Sequence, residues 1–353
     1  MSVCLQSSRN LLFHARFTLL FRPHQVPENR PFSKMPVLQS KDVPLFLRLV
    51  SATTQVASSA GSIARKVVKS GELDIVDKGG GNDPQTIADR AIQAYVVQML
   101  RQSFPKLTVI GEEGESVSAD NTLFEHLIPP STSNSLLDKL IFPQILQLKI
   151  PDKLRGIKEE DVVIWLDPLD GTTEFTKGGL GHVTTLIGIA HGGVPVAGVI
   201  HEPFSYHSGD GRTIYGIPGV GYGGCQMVLP QTGKRIITTT QSHSNPRIEA
   251  AIGILKPYRV IRAGGAGHKA LYLVEGVANA YVFASKGLKK WDTCAPEALL
   301  QAVGGKMTDL SGEAYSYNKD EEYGNDRGLL ATAPGEDHEW YVKQFLGGAP
   351  LIL

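Results

Sequence analysis

The chain has 353 residues, with 35 basic and 35 acidic side chains, 42% apolar residues and three cysteines. That length carries one large or two medium domains with an ample core, and a formal net charge of zero excludes a general nucleic-acid scavenger or a disordered polyelectrolyte. Cys4, Cys225 and Cys294 are scattered with no CxxC pair, so neither a disulfide framework nor a zinc site is expected. No run approaches the roughly twenty apolar residues of a membrane span, and the expected setting is soluble, reducing and cytoplasmic.

In chain order, residues 1–35 stand apart. They carry Arg9, Arg16, Arg22, Arg30 and Lys34 against Glu28, with Ser, Leu and Phe spread between. Mitochondrial transit peptides share this composition; the alternatives are a disordered tail or an upstream start, since Met35 can open a complete domain. From Asp42, the spacing of Leu45, Leu49, Ala52, Val56, Ala60, Ile63 and Val67 predicts an amphipathic helix. Ile87, Ala91, Ile92, Tyr95, Val96 and Met99 predict a second, after the glycine-rich loop 78–84. A short apolar strand over 107–110 ends at Glu112 and Glu113, and the polar stretch 115–160 reads as a variable insertion. A continuous apolar strand over 162–166 runs into Asp-Pro-Leu-Asp-Gly-Thr-Thr at 167–173. Strands over 183–190 and 194–200 flank a His-Gly-Gly hairpin signal. After the glycine-rich 216–224, strands over 235–238, 259–262, 280–284 and 306–310 alternate with helices over 246–255, 268–276 and 293–303. Such alternation implies layered sheets and helices, with ligands bound at strand ends.

Four short motifs place acidic residues at strand mouths or helix starts: Ala88-Asp89-Arg90, Gly111-Glu112-Glu113, Asp167-Pro-Leu-Asp170-Gly-Thr172 and Trp291-Asp292-Thr293. Converging carboxylates repel one another and need cations, and an oxygen-only donor set selects Mg²⁺ over zinc. The turn at 167–172 can bring the Asp167 and Asp170 carboxylates to one side with the Leu169 carbonyl between them. Gly171 permits close backbone approach, and a helix starting at Thr172 offers N–H groups to an anion. Metal ligands beside a phosphate cradle point to metal-assisted phosphoryl hydrolysis. Singly, each motif has a plainer reading. Asp-Pro and Asp-Gly make turns, Asp292 caps a helix, Asp89 pairs with Arg90, and the glutamates are solvated. Aspartyl-phosphate hydrolases use Asp-x-Asp-Gly-Thr; the spacing here is one residue longer, which excludes that covalent chemistry.

Together these motifs resemble the lithium-sensitive, Mg²⁺-dependent phosphatase superfamily that includes inositol monophosphatases and fructose bisphosphatases. The stretches at 236–245 (IITTTQSHSN), 264–269 (GGAGHK), 280–286 (AYVFASK) and 289–297 (KKWDTCAPE) are similar to one branch, the 3′(2′),5′-bisphosphate nucleotidases. The resemblance covers roughly residues 40–345.

The resemblance implies a layered α/β/α/β/α sandwich, with an α+β metal-binding domain at 36–233 and an α/β substrate-binding domain at 234–353. It implies Mg²⁺-dependent hydrolysis of the 3′-phosphate of adenosine 3′,5′-bisphosphate to AMP. 3′-Phosphoadenylyl sulfate would be a second substrate and inositol 1,4-bisphosphate a side substrate; the alternative activity is that of an inositol monophosphate phosphatase. Implied metal ligands are Glu112, Asp167, Leu169 (carbonyl), Asp170 and Asp292, and the implied catalytic pair is Asp89 and Thr172. Thr172, Thr240, His243, Gly265, Lys269 and Asp292 would contact substrate, with Lys269 on the 5′-phosphate. The expected partner is a small phosphorylated nucleotide, with no nucleic-acid polymer and no membrane, on a monomer or homodimer. The chain departs from the family in its three successive glycines, Gly79–Gly81, and in Ile87, where members often carry lysine. A non-enzymatic nucleotide sensor would have lost an acidic ligand; here all of them stand.

Overall fold

The computed structural model describes residues 43–79, 84–114, 126–128, 142–205 and 209–347. The basic N-terminal segment and most of the predicted insertion lie outside these residues. The predicted first helix is α1 (Leu45–Ser70), whose Leu49, Ala52, Val56, Ala60, Ile63 and Val67 are all buried. It ends at Gly71, where φ of +76° allows the amide to return to the Val67 carbonyl. A ribbon of β1 (Val76–Asp77) and β2 (Pro84–Gln85) leads to α2 (Ile87–Ser103). Thr86 caps α2 and Asp89 answers it as a reciprocal capping pair.

Next come β3 (Thr108–Gly111), the short helices α3 (Pro143–Leu146) and α4 (Asp152–Arg155), β4 (Val162–Asp170), α5 (Thr172–Thr176) and β5 (Thr184–His191). With β6 (Val194–Glu202), β7 (Arg212–Ile217) and β8 (Gly221–Gly223) they form a six-stranded sheet ordered β3-β4-β5-β6-β7-β8, parallel only between β3 and β4. The remainder runs β9 (Ile236–Thr240), α6 (Pro246–Leu255), β10 (Arg259–Ala263), α7 (Ala266–Val274) and β11 (Ala280–Phe283). It closes with α8 (Lys290–Val303), β12 (Lys306–Thr308), β13 (Leu329–Thr332) and α9 (His338–Gly347). These strands form a five-stranded sheet ordered β10-β9-β11-β13-β12. Helices α1 and α2 cover one face of the larger sheet, α7 and α8 lie between the sheets, and α6 and α9 pack beyond the smaller sheet. That is the expected five-layer sandwich.

Three differences from the sequence reading matter. Strand β4 continues to Asp170, because the register breaks between Asp167, opposite Leu186, and Asp170, opposite Thr184. The bulge interrupts strand alternation where Pro168 cannot donate to the ladder. Helix α8 starts at Lys290, so Asp292 lies in its first turn and reaches back to the Lys289 amide at 2.6 Å. β7, β8, β13 and α9 carry too many glycines, or too short an apolar run, to stand out in the sequence.

The packing of α8 depends on a row of glycines. Gly188, Gly198 and Gly216 are directly opposite one another on β5, β6 and β7. A Cβ would fall 2.5 Å from the Cys294 Cβ at Gly188, onto the Ala295 carbonyl oxygen at Gly198, and 2.7 Å from the Leu299 Cα at Gly216. Gly198→Ala is expected to cost about 1–3 kcal/mol by overpacking and to reduce activity, because α8 carries Asp292. Gly253→Ala, at an exposed position of α6 with nothing within 4 Å of its Cβ, should gain about 0.5–1 kcal/mol. Paired chemical denaturation and activity measurements check both.

His201 is a second structural group with a measurable consequence. It is fully buried, with Nδ1 2.8 Å from the Thr213 hydroxyl and its ring against Gly61 of α1. Burial, then the nearby Arg65 cation, lowers its pKa from 6.5 to about 3. The unfolded chain therefore binds the proton first. The stability from neutral His201 is complete above pH 6.5 and is lost as pH falls toward 3. Urea unfolding should show the stability gap between wild type and His201→Asn narrowing by about 2 kcal/mol from pH 8 to pH 5.

Candidate active site

The carboxyl end of β4, the first turns of α5 and α8 and the turn before α7 enclose a cavity of about 710 Å³. The β4 bulge and the start of α8 bring one carboxylate oxygen each of Asp167, Asp170 and Asp292 within 4.8 Å of one another. Both β4 aspartates are buried. Asp167 accepts from the Leu169 amide at 3.0 Å, which folds the turn back on itself. Asp170 is held from three sides, by the amides of Ala266 (2.7 Å) and Gly267 (2.8 Å) at the start of α7 and by the Thr184 hydroxyl (2.6 Å). The turn before α7 needs glycine: Gly265 has φ of +65°, and a Cβ there would meet the His182 carbonyl oxygen at 2.5 Å.

Asp89 sits behind this wall at 1% exposure. Its Oδ2 accepts from the Thr86 amide (2.8 Å) and hydroxyl (2.5 Å), leaving Oδ1 for the Thr172 hydroxyl at 3.1 Å. Thr172 is also 2.9 Å from the Leu169 carbonyl, so its single proton serves one acceptor at a time. Glu112 lines the cavity, and its carboxylate is 2.9 Å from the Lys78 ammonium, which also meets Glu113 at 2.8 Å. Thr240, His243, Gly265 and Lys269 line the same cavity. The Lys269 ammonium is buried and donates to the carbonyls of Gly265 and Ala263, tying down the glycine turn.

A family model described as the inositol monophosphatase family matches residues 48–347. The chain belongs to the inositol monophosphatase family. It is 45% identical over 303 residues to mouse 3′(2′),5′-bisphosphate nucleotidase 1, covering 84% of this chain and 94% of that one. Among solved structures, a Thermotoga maritima IMPase matches with a TM-score of 0.58 at 19% identity, over 82% of this chain and 94% of its own. An IMPase/NADP phosphatase complexed with Mg²⁺ and phosphate matches with a TM-score of 0.56 at 18% identity, over 81% and 92%. These structures share the fold.

The family is one of metal-dependent phosphatases, and the electrostatics of this member fit a cation. Burial, then the charges of Glu112 and Asp170, pushes the carboxyls of both Asp167 and Asp292 well above the usual range. Burial raises Glu112 too, against the opposing pull of Lys78. Three clustered carboxylates with uncompensated repulsion and all-oxygen donors can hold a hard divalent ion. Among the described residues no helix is long and apolar enough to cross a membrane.

The sequence reading overlooked Lys78, Glu174 and Lys289, all of which line the cavity. Lys78 opens the glycine-rich loop 78–84, and its charge is the signal in the sequence. Glu174 lies in the short helix after the acidic turn, where nothing in its spacing separates it from a solvated residue. Its carboxylate packs against Gly264, where a Cβ would collide with it.

The raised carboxyls carry a definite sign. Without a cation, ionising Asp167 and Asp292 opposes folding, so stability falls as pH rises from the ordinary aspartate value of 3.8 through their folded values. Asp292→Asn removes one repelling charge. In EDTA at pH 8 the variant should melt above wild type, and added Mg²⁺ should raise the melting temperature of wild type far more than that of the variant.

Proposed function

We propose that this chain is a Mg²⁺-dependent 3′(2′),5′-bisphosphate nucleotidase that removes the 3′-phosphate of adenosine 3′,5′-bisphosphate to give AMP and phosphate. The observation that carries the phosphatase reading is the convergence of Asp167, Asp170 and Asp292 within 4.8 Å, beside the Thr172–Asp89 pair. The relation to the mouse nucleotidase over 84% of the chain supports the nucleotide over the inositol ring. We assign Glu112, Asp167, Asp170, Asp292 and the Leu169 carbonyl to cation binding. Mg²⁺ held there would supply Lewis-acid polarisation of the phosphoryl group and charge compensation for the leaving oxygen.

The chain's own groups do the rest. Thr172 donates to Asp89 and keeps its lone pairs for a water, which it orients toward phosphorus. Burial is the main cause of the Asp89 pKa rising to about 7, so Asp89 can take the proton relayed through Thr172 near neutrality. No protein nucleophile is needed, because phosphoryl transfer depends on positioning and charge compensation. Thr240, His243 and Gly265 face the nucleotide moiety. Lys269 fixes the glycine turn and presents a cation to the 5′-phosphate that is not cleaved; burial lowers its pKa to about 8, which leaves it mostly charged at pH 7.

Phosphate release with Mg²⁺ from adenosine 3′,5′-bisphosphate and from inositol 1-phosphate, side by side, tests this reading. Preference for the nucleotide is expected, with kcat lowered by about 10²–10⁴ in Thr172→Val and in Asp89→Asn. Preference for inositol 1-phosphate would overturn the substrate and leave the mechanism, and no turnover of either would overturn the enzyme.

A further inference from the structure

The segment 315–325, between β12 and β13, is remote in sequence from every residue assigned a role above, yet it binds both elements that carry the crowded carboxylates. On the β4 side, the Trp165 indole donates to the Tyr317 carbonyl at 3.1 Å, two residues before Asp167. On the α8 side, the Asn325 amide group donates to the Thr293 hydroxyl at 2.9 Å and to the Lys289 carbonyl at 3.2 Å. The backbone N–H of Lys290 donates to the Tyr323 carbonyl at 2.9 Å, and the backbone N–H of Asn325 donates to the Leu288 carbonyl at 2.8 Å. The Tyr317 hydroxyl lies 3.2 Å from the Thr293 hydroxyl and donates to Glu297 at 2.5 Å. Tyr323 packs edge-on against both Trp165 and Trp291, with ring centroids 5.3 Å and 5.7 Å away. Tyr317 and Asn325 are at most 5% exposed, so breaking these bonds leaves buried polar groups without partners.

The polar contacts of 315–325 join the first turn of α8, which carries Asp292, to β4, which carries Asp167. We infer that this segment is a cross-tie that positions Asp292 for cation binding, with Tyr317, Asn325 and Thr293 as positioning residues. The inference rests on the proposed role of Asp292 as a cation ligand. It goes beyond that role in assigning the geometry of the ligand to a loop that does not touch the carboxylates.

The test measures Mn²⁺ binding to the full chain by electron paramagnetic resonance of the free ion. It also measures the Mg²⁺ concentration for half-maximal phosphate release and the KM for adenosine 3′,5′-bisphosphate at saturating Mg²⁺. Asn325→Ala and Thr293→Val should each weaken Mn²⁺ binding about tenfold and raise the Mg²⁺ requirement by the same factor, with the nucleotide KM unchanged. Thr293→Ser, which keeps the hydroxyl, should restore wild-type binding, and Tyr317→Phe should fall between. Asp292→Asn is the reference. If it abolishes Mn²⁺ binding while Asn325→Ala and Thr293→Val bind as wild type, the cross-tie is overturned and the cation site stands. If Asp292→Asn itself binds Mn²⁺ as wild type, the cation-site reading fails. Should Tyr317→Phe not fold, the Thr293→Val and Thr293→Ser pair still decides the question.

Discussion

The close seating of α8 on the larger sheet is the constraint on which the rest of this molecule depends. Asp292 has to meet two aspartates from β4, and it sits on a helix that belongs to the other half of the chain. Gly188, Gly198 and Gly216 remove three side chains from the sheet face, so the helix backbone itself touches the strands. Any residue with a Cβ in that row would lift the helix, and Asp292 would move with it. The same helix packs against β12, so one rigid element joins both sheets and ends in the cavity between them.

That placement creates an electrostatic problem. Asp167, Asp170 and Asp292 are brought together with little exposure, and the fold answers each one differently. Asp170 is neutralised in part by two backbone amides and a hydroxyl. Glu112 and Glu113 share the Lys78 ammonium. Asp167 and Asp292 are the carboxyls that burial and neighbouring charge push furthest above their ordinary range, and the proposed divalent cation would compensate them. Asp89 lies apart from the cluster and is held by Thr86, so a single free oxygen faces Thr172. The charge cluster and the proposed proton acceptor are thereby held by different partners.

Much of this was legible before any coordinates. The 3.6-residue period of 45–67 marked α1, and the apolar run at 162–166 marked a buried strand. The acidic turn after it announced the site because Pro168 and Gly171 together restrict the conformations of Asp167 and Asp170. Other features were hidden for physical reasons. A strand such as β8 consists largely of residues that look like loop, because a Cβ at Gly223 would meet the Tyr215 ring of β7. The bulge between Asp167 and Asp170 depends on pairing with β5, which local spacing cannot reveal. Asp292 looked like a cap and is instead the third residue of the helix, since helix starts depend on which backbone groups find partners. Lys269, read as a phosphate contact, also binds two carbonyls of its own turn.

What the sequence by itself determined is the chemistry: the number and type of carboxylates, the hydroxyl beside them, the glycines that permit close approach, and an oxygen-only donor set suited to a hard cation. These follow from residue identity and short-range geometry, which survive in a linear string. Only the tertiary structure decided that Asp292 meets Asp167 and Asp170, that Asp89 reaches Thr172, that Lys78 faces two glutamates, and that 315–325 ties β4 to α8. Those outcomes depend on packing between segments far apart in the chain. There, the volume left by missing side chains and the cost of burying unpartnered polar groups select one arrangement, and neither quantity is a property of any local stretch.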